Sequence, residues 1–366
     1  MHPFPHRPVG WFIVVCILAA GSAYVVPAAQ AVSPDQALAR TLISPSDPVD
    51  PVLAALSDGR LVRAVAAPAT GTVLLPAVKY GFALTGAELG KLDITGSPEA
   101  ILEVGQFVAR LRSRGIDQSG TPFTVYTLPP IQDAIDAAAS PGMDGDGPLG
   151  SVLVVPLGTK VVLAGAVFEG GQLHAKTLLE SSGSEHRNES GIRAMAAPAD
   201  SQGFRRSGGI GCAERKQNNT AWYDPCQEFY VQENDGDPNA QYWASELKGT
   251  GKGKSVWTLN SLEVSSRRKE GSPAQQWVDW DPGADTTTSC RSQTISVSYA
   301  GAGIAFDKQH CELWDIDKDA DGADFANWWR GHVRRKERET GAMTLTRLDN
   351  GALPVLLVSF DYYANP

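Results

Sequence analysis

The sequence predicts a two-domain protein: a small N-terminal α+β domain with a β-meander, followed by a mostly antiparallel β sandwich or barrel held by disulfides. Three observations carry that expectation. Beyond an apolar leader, all four cysteines lie between 212 and 311 and the eight remaining tryptophans between 222 and 329, whereas the first half is aliphatic and free of cysteine. Short alternating stretches bounded by Gly, Asn and Pro recur through the second half, the pattern of a sheet-rich domain. Residues 181–211, rich in Ser, Gly and Arg, hold no period long enough for an element and read as a flexible linker between domains at 32–180 and 212–366.

Residues 1–31 read as a signal peptide. Arg7 precedes an apolar run from Val9 to Val26, and Ala29-Gln30-Ala31 supplies the small residues that a signal peptidase needs. An uncleaved anchor is the alternative, because the run approaches the roughly 20 residues that span a bilayer. No later segment is long and apolar enough, so no stable membrane span is expected after cleavage. The 32 basic and 41 acidic residues give a net charge of −9, which disfavours nonspecific attraction to nucleic acid or anionic membranes.

In the first half, Ser33 before Pro34 and Asp50 before Pro51 each place a capping oxygen ahead of proline at a first helical position. A longer helix is expected from Ser97 to about Ser113, with Ile101, Leu102, Val104, Val108 and Leu111 on one face and Gly115 ending it. Phe123 to Leu128 reads as a strand. Residues 151–180 read as three strands joined by turns at Gly158-Thr159 and Gly170-Gly171; the first turn pairs Val155 with Val162, and the second pairs Phe168 with Leu173 and Ala166 with Ala175. His174, opposite Val167, has no carboxylate, Cys or second His at a supportive spacing and reads as a structural or exposed strand residue. Arg205-Arg206, inside the linker, is the kind of pair a trypsin-like protease cuts. That admits a second organisation, a removable pro-region over 32–205 ahead of a mature effector domain.

In the second half, folding the chain about Ala300-Gly301 sets Tyr299 opposite Ala302, Val297 opposite Ile304 and Ile295 opposite Phe306, which makes one face of the hairpin apolar. The same register sets Cys290 opposite Cys311 and predicts a disulfide there, leaving Cys212 to Cys226 as the second bridge. Asn350-Gly351 predicts a closing hairpin between Met343–Leu348 and Leu353–Tyr363. The unbroken run Val355-Leu356-Leu357-Val358 predicts that its second strand is central. Ser255–Val264 and Phe229–Val231 complete the expected strands.

Candidate chemistry is concentrated here. Asp317, Asp319 and Asp321, followed by Gly322, have the alternating-carboxylate spacing of a calcium loop, with Asp315 and Asp324 as further oxygen ligands. Trp328 stands where an EF-hand places a bidentate Glu, so an acidic turn ahead of a helix from Asp324 to Arg338 competes with calcium. Trp277 with Trp280, and Trp328 with Trp329, are candidate stacking surfaces for a sugar ring or cation; the second pair rests on neighbouring helical residues not both facing inward. The basic run from His332 to Arg338 is read as the end of that helix, or as a patch for an anionic partner.

Asp279 or Asp281 with Glu312 or Asp315 is a candidate acid and base pair of a secreted hydrolase. No catalytic motif of useful specificity is present: there is no Gly-x-Ser-x-Gly elbow, His-Glu-x-x-His or phosphate-cradling loop. The leading expectation is a secreted or envelope-associated noncatalytic binding protein, engaging a glycan or an extracellular protein with calcium as the candidate cofactor. The hydrolase and the pro-region arrangement are the alternatives.

Overall fold

The computed structural model describes residues 50–58, 81–131, 151–184, 203–217, 220–232, 237–254, 256–283, 291–310, 314–318 and 325–366. Antiparallel strands dominate. In spatial order, a seven-stranded sheet comprises β1 (Gly81–Thr85), β4 (Lys160–Glu169), β5 (Gln172–Ser182), β18 (Val355–Asn365), β11 (Thr258–Arg268), β16 (Phe325–Arg334) and β15 (Trp314–Lys318). A nine-stranded sheet follows the order β12 (Gln276–Asp281), β17 (Glu337–Asp349), β10 (Ala240–Gly253), β9 (Ala221–Gln232), β8 (Glu214–Gln217), β3 (Ser151–Pro156) and β2 (Phe123–Leu128). Both β6 (Phe204–Arg206) and β7 (Gly211–Cys212) are added to β9. A hairpin of β13 (Arg291–Tyr299) and β14 (Ala302–His310) stands apart as a third sheet.

The two large sheets face each other as a sandwich. Tyr223 of β9 meets Phe360 and Tyr362 of β18 edge-on, with ring centroids 6.4 and 6.5 Å apart. One apolar cluster between the sheets runs from Phe82 and Leu84 through Leu153, Tyr223 and Leu247 to Trp329, Phe360 and Tyr362. The expected division into two domains at 181–211 does not separate two cores among the described residues. Strand β5 is hydrogen-bonded to β18 along Ser182↔Val355 to Leu173↔Ala364, and β3 to β8, so both halves build both sheets. Part of the expected linker is itself ordered as β6 and β7, and Arg206 pairs with Glu228 at 2.7 Å.

Short helices cover the outer faces. Helix α1 (Pro51–Ser57) begins as the Asp50-Pro51 signal predicts, with Asp50 Oδ1 accepting from Leu53 N at 2.8 Å. It packs Val52 and Leu53 on the outside of β4 and β5, close enough that a Cβ on Gly165 would lie 2.7 Å from Val52 Cγ1. Helix α2 (Gly86–Leu89) follows β1. Helix α3 (Pro98–Ser113) is capped by Ser97, whose Oγ accepts from Ala100 N, and Gly115 follows it at φ +80°. Its buried face is the expected one in part: Leu111 is buried and Val104 and Val108 pack against the same cluster, but Ala100, Glu103 and Phe107 also turn inward, while Ile101 and Leu102 are 67% and 60% exposed. Glu103 is drawn in by Lys216 Nζ at 2.6 Å, and Phe107 packs on Phe123 beside the Cys212–Cys226 disulfide.

The β13–β14 hairpin has the register the turn predicts, with Tyr299↔Ala302, Val297↔Ile304 and Ile295↔Phe306 around Ala300 and Gly301, both at positive φ. Its apolar face packs on Tyr242, Met343 and Leu345. Cys290 and Cys311 lie outside the described residues.

Three expected connections are corrected. The Gly158-Thr159 turn joins strands of opposite sheets, because both edges of β3 are taken by β2 and β8. Only the β4–β5 half of the meander forms, with Ala166↔Ala175 and Val167↔His174 as expected. Asn350-Gly351 likewise passes from one sheet to the other: β17 is already flanked by β10 and β12, so β18 pairs with β5 and β11 and is central, as its apolar run requires. The expected helix from Asp324 to Arg338 is instead β16, a turn at Arg335 with φ +58°, and the start of β17. Phe325, Asn327 and Trp329 recur at period two and are fully buried, a strand pattern masked by the charged residues that follow.

Candidate functional site

Strand geometry separates the two tryptophan pairs. Trp329 faces the sandwich core and is wholly buried, while Trp328 points to the opposite side of the sheet, 8% exposed, with its indole N–H donated to Glu263 Oε2. Arg338 and Arg330 lie over the two rings. The helical reason for taking this pair as a surface is gone, since neighbours on a strand point to opposite faces and both rings are covered here.

Trp277 and Trp280 are half-buried on β12, the edge strand of the nine-stranded sheet. A bulge between Trp277 and Asp279 brings both indoles to one side of the strand, opposite Thr346 and Thr344, with ring centroids 5.6 Å apart. Phe325, the first residue of β16, lies 6.2 Å from Trp277. Because Phe325 also pairs with Lys318 at the end of β15, the β12 aromatics stand beside the β15–β16 connection. That connection holds Asp319, Asp321 and Asp324, which lie outside the described residues; Asp315 and Asp317 are placed on β15, opposite Trp328 and Ala326. Among the described residues, no group of three or more His, Cys, Asp or Glu side chains is arranged to hold a metal.

The hydrolase candidates Asp279 and Asp281 are engaged in another task. Asp279 Oδ2 accepts from Ser298 N at 2.9 Å and Asp281 Oδ2 from Ser296 N at 2.7 Å, so both carboxylates satisfy the free edge of β13. Their candidate partner Glu312 lies outside the described residues.

One concentration of buried charge is a row that sequence reasoning missed. Across the outer face of the seven-stranded sheet, Gly165, Lys176, Asp361, Glu263 and Trp328 occupy successive register positions on β4, β5, β18, β11 and β16, and Asp315 of β15 is the next register partner of Trp328. Lys176 is buried between Asp361 Oδ2 at 2.7 Å and Asp50 Oδ2 at 2.8 Å, the latter supplied from the start of α1. Burial alone would lower the Lys176 pKa, but Asp361 and Asp50 drive it well above the ordinary lysine value. Burial raises the Asp361 carboxyl to about 6 against the pull of Lys176, and the half-buried Asp50 is held low by Lys176. Glu263 is pushed up to about 8, by burial first and then by the neighbouring Asp361.

A signal for this row was present in the sequence. Asp361 is the one charge in the run from Val355 to Ala364, which is apolar and aromatic apart from Ser359, and a charge in a buried central strand demands a partner. His174, one row along, lies edge-on to Tyr363 at 4.3 Å; burial lowers its pKa, in keeping with a structural role.

Sheet order, disulfide and covered outer faces define the class as a mostly antiparallel β-sandwich-like protein. No protein-family model matches the chain, and no curated protein is significantly similar to it. No helix among the described residues is long and apolar enough to cross a membrane.

Proposed function

We propose that this is an exported, noncatalytic binding protein that engages a carbohydrate through Trp277 and Trp280 at the open corner of the sandwich. The observation that carries this reading is the half-buried indole pair on an edge strand, backed by Phe325 at the start of β16. Half-buried aromatic faces on a rigid strand stack on the apolar face of a sugar ring, and an edge site leaves room for an extended polymer. Calcium at Asp315, Asp317, Asp319, Asp321 and Asp324 belongs to the same proposal, as an ion that positions this corner.

A hydrolase using Asp279 or Asp281 is disfavoured, because each already accepts a backbone N–H of β13. The pro-region reading is disfavoured as well, since removing 32–205 would strip β5 from β18.

A glycan array with and without a calcium chelator tests the proposal directly. The expected result is binding to at least one glycan class, weakened about tenfold or more by Trp277→Ala or Trp280→Ala with the fold retained by circular dichroism. Chelation should weaken the same interaction. Uniform silence of the array, or binding indifferent to both substitutions, would sink the reading.

A further inference from the structure

Arg215, on β8, points into the space between the sheets and is 2% exposed. Among the described residues, the groups placed around it on the core side are apolar or neutral: Leu153 and Tyr223 on its neighbouring strands, the Phe82 ring 5.5 Å from its guanidinium carbon, and the Tyr362 phenol. Its one hydrogen bond is a long one, from Nη2 to Gly165 O at 3.5 Å, while Nε and Nη1 have no partner. The Tyr362 hydroxyl lies beside it without a well-formed hydrogen bond. Thr177, two places from the residue paired with Tyr362, and Ser151, two places from the residue paired with Arg215, also carry buried hydroxyls without partners.

Burial lowers the Arg215 pKa to about 10, so the side chain stays charged at neutral pH. A buried charge without a counter-ion is strongly unfavourable, and water can satisfy its N–H groups but cannot neutralise it. Every other buried cation with resolved contacts in this fold has a carboxylate within hydrogen-bond reach: Lys176 has Asp361 and Asp50, and Lys216 has Glu103. The group missing at Arg215 is an anion.

We infer that the interior of the sandwich receives the carboxylate of an apolar organic acid, bound by Arg215 of one sheet and Tyr362 of the other, with the hydrocarbon part lying among the core side chains. A small inorganic anion would fill the charge requirement but lose its hydration against Phe82 and Leu153. A carboxylate joined to a hydrocarbon offsets that loss by burying its tail. Guanidinium and phenol donors together suit a carboxylate, because at most one of the five Arg N–H groups is already used.

The test uses the full chain, stripped of bound lipid and titrated with fluorescent cis-parinarate and, separately, with its methyl ester. Uptake of the acid is expected, with the ester at least tenfold weaker because it presents no charge to Arg215. Arg215→Met, close in volume and uncharged, should lose at least tenfold in affinity for the acid while keeping the sheet spectrum, and Tyr362→Phe should lose less. Should Arg215→Met fail to fold, the acid-to-ester ratio of the unaltered protein and the Tyr362→Phe variant decide. Equal binding of acid and ester, acid binding unchanged in the variants, or no uptake at all would overturn the assignment.

Discussion

Two buried cations stand on opposite sides of the same place in the seven-stranded sheet, and they are treated in opposite ways. Lys176 is the register partner of Gly165 and sits on the outer face with two carboxylates; Arg215 reaches the Gly165 carbonyl from the core side and has none. Position in the sandwich does not account for the difference, since both side chains are removed from water. What differs is the origin of their partners. The outer face recruits Asp50 from α1 and Asp361 from β18, whereas the interior offers Arg215 only a phenol and a carbonyl. A buried ion pair is the answer where a segment can bring an acid, and an unfilled charge remains where none of the described residues does.

The comparison can be broken most forcefully at Asp361. Asp361→Ala leaves Lys176 with Asp50 alone and should cost about 3–5 kcal/mol in urea unfolding, the usual effect of orphaning a buried charge. A loss under about 1 kcal/mol would show that the triad is not the outer anchor. The Cys212–Cys226 bridge should come next, because replacing both cysteines by alanine relaxes the denatured chain and is expected to cost about 2–4 kcal/mol by the same measurement.

Arg215→Met should act in the other direction. In ligand-free protein it removes an unpaired charge and is expected to be neutral or to raise stability by about 1–4 kcal/mol, as replacements of buried ionic groups by apolar ones often do. Clear destabilisation would mean that Arg215 is satisfied within the chain.

The smallest effect expected is a pH slope at Glu263. With a native pKa of about 8 against an ordinary value of 4.5, the folded state holds a proton that the unfolded chain releases between those values. Its contribution to stability therefore falls as pH rises from about 4.5 to 8 and levels off above. Glu263→Gln should flatten that part of the profile and be more stable than the unaltered protein at pH 8 by about 1–2 kcal/mol, discounted for its partial exposure. Thermal melts from pH 5 to 9 check this, and parallel profiles would exclude it.

Local features were legible in the sequence because their causes are local. The caps at Asp50 and Ser97, strand β2, the centrality of β18 and the whole register of β13–β14 follow from spacing, turn chemistry and alternation. Partner choice was not legible. A Gly-containing turn reads the same whether the next strand lies alongside or crosses to the facing sheet, and only the occupancy of β3 and β17 by other neighbours decides it.

The same limit explains the sites. Trp328 and Trp329 were misplaced because a period-two signal was outweighed by the following basic run. Lys176, Asp361 and Glu263 meet across three strands whose order no short window contains. Ile101 and Leu102 were assigned to the buried side of α3 because periodicity favours apolar residues, whereas Lys216 makes Glu103 the residue worth burying.

Lys176 and Asp361 stand 185 positions apart, yet they are bonded side by side. During synthesis, β5 must therefore wait with one open backbone edge, and Lys176 with Asp50 as its one carboxylate among the described residues, until nearly two hundred further residues have arrived. Such a delay makes folding slow and the waiting edge adhesive. The yield of this protein from any host should accordingly depend more on holdase capacity during synthesis than on the stability it finally reaches.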